Sequence, residues 1–87
     1  MAVKFEARME NTVQEVLEAG AGVNISARYY VPTTLQLFAK VAKDSDAMLI
    51  LRDTDSLDTA ELVAIAKAGG KNLIIEIRSS ENEPNRS

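Results

Sequence analysis

The chain has 87 residues, 46% of them hydrophobic but only 5% aromatic, which allows one small domain with an aliphatic core. It has no cysteine and no histidine. This excludes disulfides, zinc–thiolate and iron–sulfur sites, cysteine nucleophiles and the usual general base near neutral pH. We therefore predict a protein that is not an enzyme and carries neither a cofactor nor a metal. The net charge of −3 argues against nucleic acid as a partner.

The first six residues lack the basic region and the long apolar run of a signal peptide, and no window approaches the length of a membrane span. We expect a cytoplasmic protein that does not enter a membrane.

Along the first half of the chain, the pattern predicts two strands and two helices. Residues 2–6 alternate as a strand does, with Val3 and Phe5 on one face. A helix over 9–19 follows, and Gly20 and Gly22 end it. A second strand over 23–30 leads to Pro32, which suits the first turn of a second helix over 33–43.

The second half repeats this order. Residues 48–52 form the nearly continuous apolar run that parallel sheets favour. Asp58 and Glu61 have the spacing of a capping box and predict the start of a third helix, which Gly69 and Gly70 end. A fourth strand covers 73–77, and the polar residues 79–87 predict a disordered tail after a single domain over 1–78.

A strand and a helix thus recur with a spacing of about 24 residues, as the segments 24–28, 48–52 and 72–76 illustrate. This recurrence predicts a two-layer α/β fold made of a right-handed β-α repeat. About four parallel strands in the order 1-2-3-4 would carry three helices on one face. In period and patterning, residues 2–77 resemble a short leucine-rich-repeat-like β/α array, and such arrays expose their sheet for recognition.

If this spacing is uniform, one face of the predicted sheet is apolar and meets the helices, whereas the opposite face is mixed. The open side would combine basic, aromatic and apolar groups, and arginine and tyrosine are frequent binding anchors. We predict that the chain is a small interaction module that binds a protein partner, or a second copy of itself, through this face. The predicted contact residues are Arg28, Tyr30, Ile50, Arg52 and Ile74. An exposed strand edge leaves a homodimer open as well.

Asp53 interrupts the row in which Phe5, Tyr29 and Ile77 would point inward. A buried carboxylate needs an arginine, a backbone N–H or a metal as its partner. One alternative is therefore a fragment of a metal-dependent enzyme that uses Asp53 and Asp55. The interpretation that we favour is a helix-capping turn, since aspartate is common before helices.

A second alternative concerns the same segment. Residues 49–57, the helix after them, Gly69–Gly70 and residues 73–75 resemble the later half of anti-sigma-factor-antagonist (STAS) domains. The resemblance implies a phospho-regulated switch in which Ser56 is the modified serine. The helix dipole would favour a phosphate at Ser56, whereas Asp55 and Asp58 would oppose it.

Overall fold

The computed structural model describes residues 2–77, so the predicted tail over 79–87 lies outside the described residues. Helices and strands alternate along the chain: α1 (Ala2–Glu18), β1 (Val23–Ser26), α2 (Pro32–Asp44), β2 (Leu49–Arg52), α3 (Thr59–Gly69) and β3 (Leu73–Ile75). Short 3-10 turns occupy three of the connections: a first turn (Ala27–Tyr29), a second turn (Thr54–Ser56) and a third turn (Gly70–Asn72). No helix within residues 2–77 is long and apolar enough to cross a membrane.

The predicted first strand is wrong, because α1 begins at Ala2 and runs through residues 2–6. An alternation over so short a segment cannot separate a strand from the start of a helix. The segment has no glycine or proline before Gly20, and alanine, lysine, glutamate and arginine favour a helix. The whole segment therefore joins the predicted first helix.

The sheet has three parallel strands in the order β1-β2-β3, with β2 in the centre. The predicted α/β class with a parallel sheet is confirmed, and among residues 2–77 the sheet has three strands instead of about four. Val23 lies beside Leu49, and Leu49 beside Leu73. Paired positions are thus further apart in sequence between β1 and β2 than between β2 and β3, so the repeat is not uniform.

This difference in spacing corrects the predicted rows. A uniform repeat pairs Ala27 with Leu51 and Arg28 with Arg52, whereas in the structure Ile25 pairs with Leu51 and Ser26 with Arg52. The pairing moves by an even number of positions, so each side chain stays on its predicted face while its neighbour changes. Strand β1 ends at Ser26 because the Ser26 Oγ accepts a hydrogen bond from the Arg28 N–H and caps the first turn.

The core lies on one side of the sheet. Leu49 and Leu51 of β2 are completely buried there, and α1, α2 and α3 all contribute to the same cluster. The largest fully buried side chains are Leu17, Leu35, Phe38, Leu49, Leu51 and Ile65. At about 25 cal/mol for each Å² of apolar surface removed from water, these side chains are the main stabilising contribution to the fold.

Helices α2 and α3 approach each other closely because small residues lie between them. Gly69 is buried, and a Cβ atom added to it would lie 2.7 Å from the Leu73 Cβ and 3.2 Å from the Ala39 Cβ. The first of these distances is shorter than any ordinary carbon–carbon contact, so a larger residue at this position forces its neighbours to shift. At its other end α3 begins as predicted, because Asp58 and Glu61 form the capping box.

We predict that Gly69→Ala lowers the free energy of unfolding by about 1–3 kcal/mol, the usual cost of overpacking a tight core. The matched control is Gly22→Ala, whose added Cβ would lie 3.6 Å from the Met48 carbonyl oxygen, an ordinary contact. We expect the control to change stability by less than about 0.5 kcal/mol. Urea denaturation followed by circular dichroism measures both, and equal stabilities would contradict the close packing described at Gly69.

Candidate functional site

The side of the sheet opposite the core carries a small mixed surface. We call it the open sheet face and define it by Asn24 of β1, Ile50 and Arg52 of β2, and Ile74 of β3. Successive side chains of a strand point to opposite sides of a sheet, so these residues point away from Leu49 and Leu51. Asn24, Arg52 and Ile74 are exposed and Ile50 is half-buried.

The two isoleucines are direct neighbours on this face. Ile50 and Ile74 lie side by side in adjacent strands, and Asn24 lies on the other side of Ile50. Ile74 keeps 46% of its surface exposed. The described residues thus place a continuous apolar strip on β2 and β3 and leave one side of it in contact with solvent.

Arg52 is held at the end of this strip. Its Nε donates to the Asn24 Oδ1 at 2.9 Å, and its NH1 lies 3.4 Å from the Asp53 Oδ2. A guanidinium has five N–H donors, so two are engaged by these contacts and three are left for a ligand. The Asn24 contact favours one orientation of the guanidinium, which lowers the conformational entropy lost on binding.

Two of the predicted contact residues lie elsewhere. Arg28 is exposed but belongs to the first turn, beyond the end of β1, and the predicted row that joins it to Arg52 is wrong. Tyr30 is half-buried and packs against the core, where its ring meets the Phe38 ring edge-on with centroids 5.3 Å apart. The structure therefore brings together three of the five predicted residues, which are Ile50, Arg52 and Ile74.

Asp53 directly follows β2 and has a left-handed backbone, at φ 55° and ψ 47°. Aspartate tolerates this conformation better than most residues, and the reversal explains why Asp53 breaks the apolar row. The strand stops at Arg52, so position 53 does not continue its alternation. Asp55 is exposed in the second turn. Among the side chains that the structure describes, residues 10–77, no group of three or more histidine, cysteine, aspartate or glutamate residues could hold a metal ion.

Ser56 is exposed at the end of the second turn. Helix α3 begins shortly afterwards at Thr59, and Asp58 already caps its N-terminus. Asp55 and Asp58 lie close to the serine in sequence, so a phosphate on Ser56 would enter a region of negative charge. The predicted phosphorylation site is therefore exposed to solvent. Its sequence neighbours, Asp55 and Leu57, supply no positive charge that would pair with a phosphate.

The second turn is tied to the end of β3. Thr54 is buried and its Oγ1 donates to the Glu76 carbonyl oxygen at 3.0 Å, while the Glu76 N–H donates to the Leu51 carbonyl oxygen at 2.8 Å. These bonds hold the carboxyl ends of β2 and β3 together. The edge of the open sheet face nearest to Arg52 is therefore a fixed part of the fold.

Asn24 is the member of the face that the sequence prediction missed. A uniform repeat places Asn24 beside Met48, whereas its neighbour in the sheet is Ile50 and its hydrogen-bond partner is Arg52. Only the register of β1 on β2 reveals this contact. No local signal in the sequence reports that the first strand–helix unit is longer than the second.

Comparisons of the chain with protein-family models, with curated proteins and with solved structures find no match. The geometry of the described residues therefore carries the functional argument.

We predict that Thr54→Val lowers the free energy of unfolding by about 1–2 kcal/mol, because the Glu76 carbonyl loses its buried hydroxyl donor. The control is Thr12→Val on the exposed side of α1, for which we expect a change of less than about 0.5 kcal/mol. Urea denaturation gives the two stabilities. Hydrogen exchange at the Glu76 amide should also become faster in the Thr54 variant, and unchanged exchange with unchanged stability would contradict the tie between the second turn and β3.

Proposed function

We propose that the chain is a small, non-enzymatic interaction module that binds a protein partner through the open sheet face. The observation that carries the proposal is the pairing of a partly exposed isoleucine strip with an arginine that Asn24 and Asp53 orient. Ile74 and Ile50 supply apolar area, and Arg52 supplies directed donors at one end of it.

The chemistry of this face indicates what the partner presents. The strip is narrow, since it spans only β2 and β3, and it fits one or two aliphatic or aromatic side chains. Arg52 pairs best with a carboxylate or with backbone carbonyl groups, because a guanidinium bonds such planar acceptors through two N–H groups at once. The partner segment therefore combines an apolar side chain with an acidic one, a few ångströms apart.

The positive charge of Arg52 favours a segment with an acidic side chain, but it adds little to the binding free energy. Arg52 is about half exposed, and Asp53 already lies against it. A charge pair at this exposure is worth little by itself, so most of the binding energy comes from burying the isoleucines. The role of Arg52 is to select the partner and to set its register on the strip.

We predict that a random-peptide display library selected on the chain yields peptides in which an apolar residue lies close to an aspartate or glutamate. Arg52→Ala should weaken their binding roughly tenfold, about 1.4 kcal/mol. Asn24→Ala should weaken it less, because it releases the guanidinium without removing it. Fluorescence anisotropy with a selected, labelled peptide measures each affinity.

The controls make equivalent substitutions on α2, on the opposite side of the sheet. Lys40→Ala on α2 also removes one positive charge and one ion pair, with Asp44. Leu37→Asp on α2 matches Ile74→Asp, since the two side chains are 45% and 46% exposed. Binding that responds to Ile74→Asp and Arg52→Ala but not to the α2 variants supports the proposal. Equal losses in the two sets, or a selection that enriches no peptide, would refute it.

A further inference from the structure

The two edges of the sheet, at β1 and at β3, differ in how the neighbouring helix covers them. At the β1 end, α1 packs against α2 and β1, and between residues 10 and 18 its exposed side chains are polar: Asn11, Thr12, Glu15 and Glu18. At the β3 end, the described residues place no further element beyond α3 and β3. A stacked β/α array normally needs a polar cap at each end, because a terminal unit otherwise leaves an apolar side uncovered.

Helix α3 has the surface expected of a covered helix. Of its residues only Ile65 and Gly69 are buried, and its exposed residues include Ala60, Val63 and Ala66. Val63 is 46% exposed. A helix that is apolar on its solvent side as well as on its core side is typical of an element with neighbours on both sides.

Strand β3 offers peptide groups at the same end. The Glu76 N–H bonds to the Leu51 carbonyl, so in this parallel ladder the peptide groups of Ile74 face β2 and those of Leu73 and Ile75 face outward. The third turn already satisfies the Leu73 N–H, which donates to the Gly70 carbonyl. The Leu73 carbonyl and the Ile75 N–H and carbonyl then point toward the open edge.

We propose that a second copy of this chain covers this end, with the two β3 strands paired antiparallel about a two-fold axis at Ile74. The Ile75 N–H of each copy would donate to the Leu73 carbonyl of the other, which uses the outward groups that the third turn leaves available. An axis perpendicular to the sheet also keeps α3 of both copies on the same side, as antiparallel neighbours.

The charges of α3 fit a second copy in this orientation. Asp58 caps the helix and Glu61 lies in its first turn, whereas Lys67 lies in its last turn and Lys71 in the third turn directly after it. Antiparallel packing places the acidic end of each helix beside the basic end of the other. A parallel neighbour would instead bring like charges together, so this pattern selects an isologous dimer. The proposed dimer interface consists of the β3 edge and α3, and it shares only Ile74 with the open sheet face.

The first test reverses the charge at the basic end of α3. We expect the chain to show a concentration-dependent dimer in analytical ultracentrifugation. Lys67→Glu with Lys71→Glu should raise its dissociation constant roughly tenfold or more. The control, Lys40→Glu with Lys43→Glu on α2, changes the net charge equally and should leave the dimer intact. A chain that stays monomeric, or equal effects of the two double variants, would overturn the proposal.

The second test removes the edge donor. Ile75→Pro deletes the N–H, and an edge strand tolerates proline where that group faces away from the sheet. Ile75→Val retains the N–H and serves as its control. We expect the proline variant to be monomeric and the valine variant to be dimeric. If the proline variant does not fold, the charge variants still decide the question.

A third measurement distinguishes the edge from other surfaces. In a mixture of differently labelled copies, NMR contacts between the two Ile74 side chains support the edge dimer. Contacts from Asn24 and Ile50 would place the second copy on the open sheet face, and contacts of residues 78–87 with Leu73 in a monomer would assign the edge to the chain's own end. Either result overturns the proposal.

The dimer proposal and the proposed binding function can fail separately. Lys67→Glu with Lys71→Glu should weaken the dimer and retain binding to the selected peptides, because neither lysine belongs to the open sheet face.

Discussion

The alternation of β2 is the constraint on which the rest of the molecule depends. Leu49 and Leu51 are completely buried beneath the helices, which commits Ile50 and Arg52 to the opposite side. A slip of one position would expose both leucines and bury an arginine, at a cost of several kcal/mol. The same interaction that holds the core therefore determines which side chains form the open sheet face.

The ends of β2 are fixed by polar contacts with the neighbouring segments. Before the strand, the buried Asn72 side chain donates to the Ala47 carbonyl at 2.7 Å. After it, Thr54 bonds to the Glu76 carbonyl. Ala47 and Thr54 are both buried, and a buried polar group without a partner costs about 1–3 kcal/mol, so each contact satisfies a group that needs one. Both contacts tie β2 to the residues that flank β3, Asn72 before it and Glu76 after it.

The sequence predicts those parts of the fold that have strong local signals. Apolar runs locate β2 and β3, and Asp58 with Glu61 locates the start of α3. Residues 2–6 could form a strand only if the sheet offered them a partner strand. A short alternating segment does not carry that information. The register of β1 is likewise a tertiary property, because it is set by the length of the connection through the first turn and α2. For this reason the sequence predicts that Ile50, Arg52 and Ile74 share one face, but it predicts neither the contact of Asn24 with Arg52 nor the packing of Tyr30 on Phe38.

The two proposed surfaces follow from one property of a small parallel sheet. Among residues 2–77, three strands with helices on one side leave one face and one edge of the sheet without a covering helix or strand, and a chain of this size has few residues with which to cover either. Extending the sheet about a two-fold axis would cover the edge and leave the face accessible. It would also place two open sheet faces side by side on one continuous surface. A dimer of this kind would present two copies of the isoleucine strip and of Arg52 to a partner, so a modest affinity at each site would be raised by bivalent binding. The β3 edge contact and the open sheet face are therefore compatible in one assembly. Dimerisation through the edge would raise the affinity with which the two faces bind a partner.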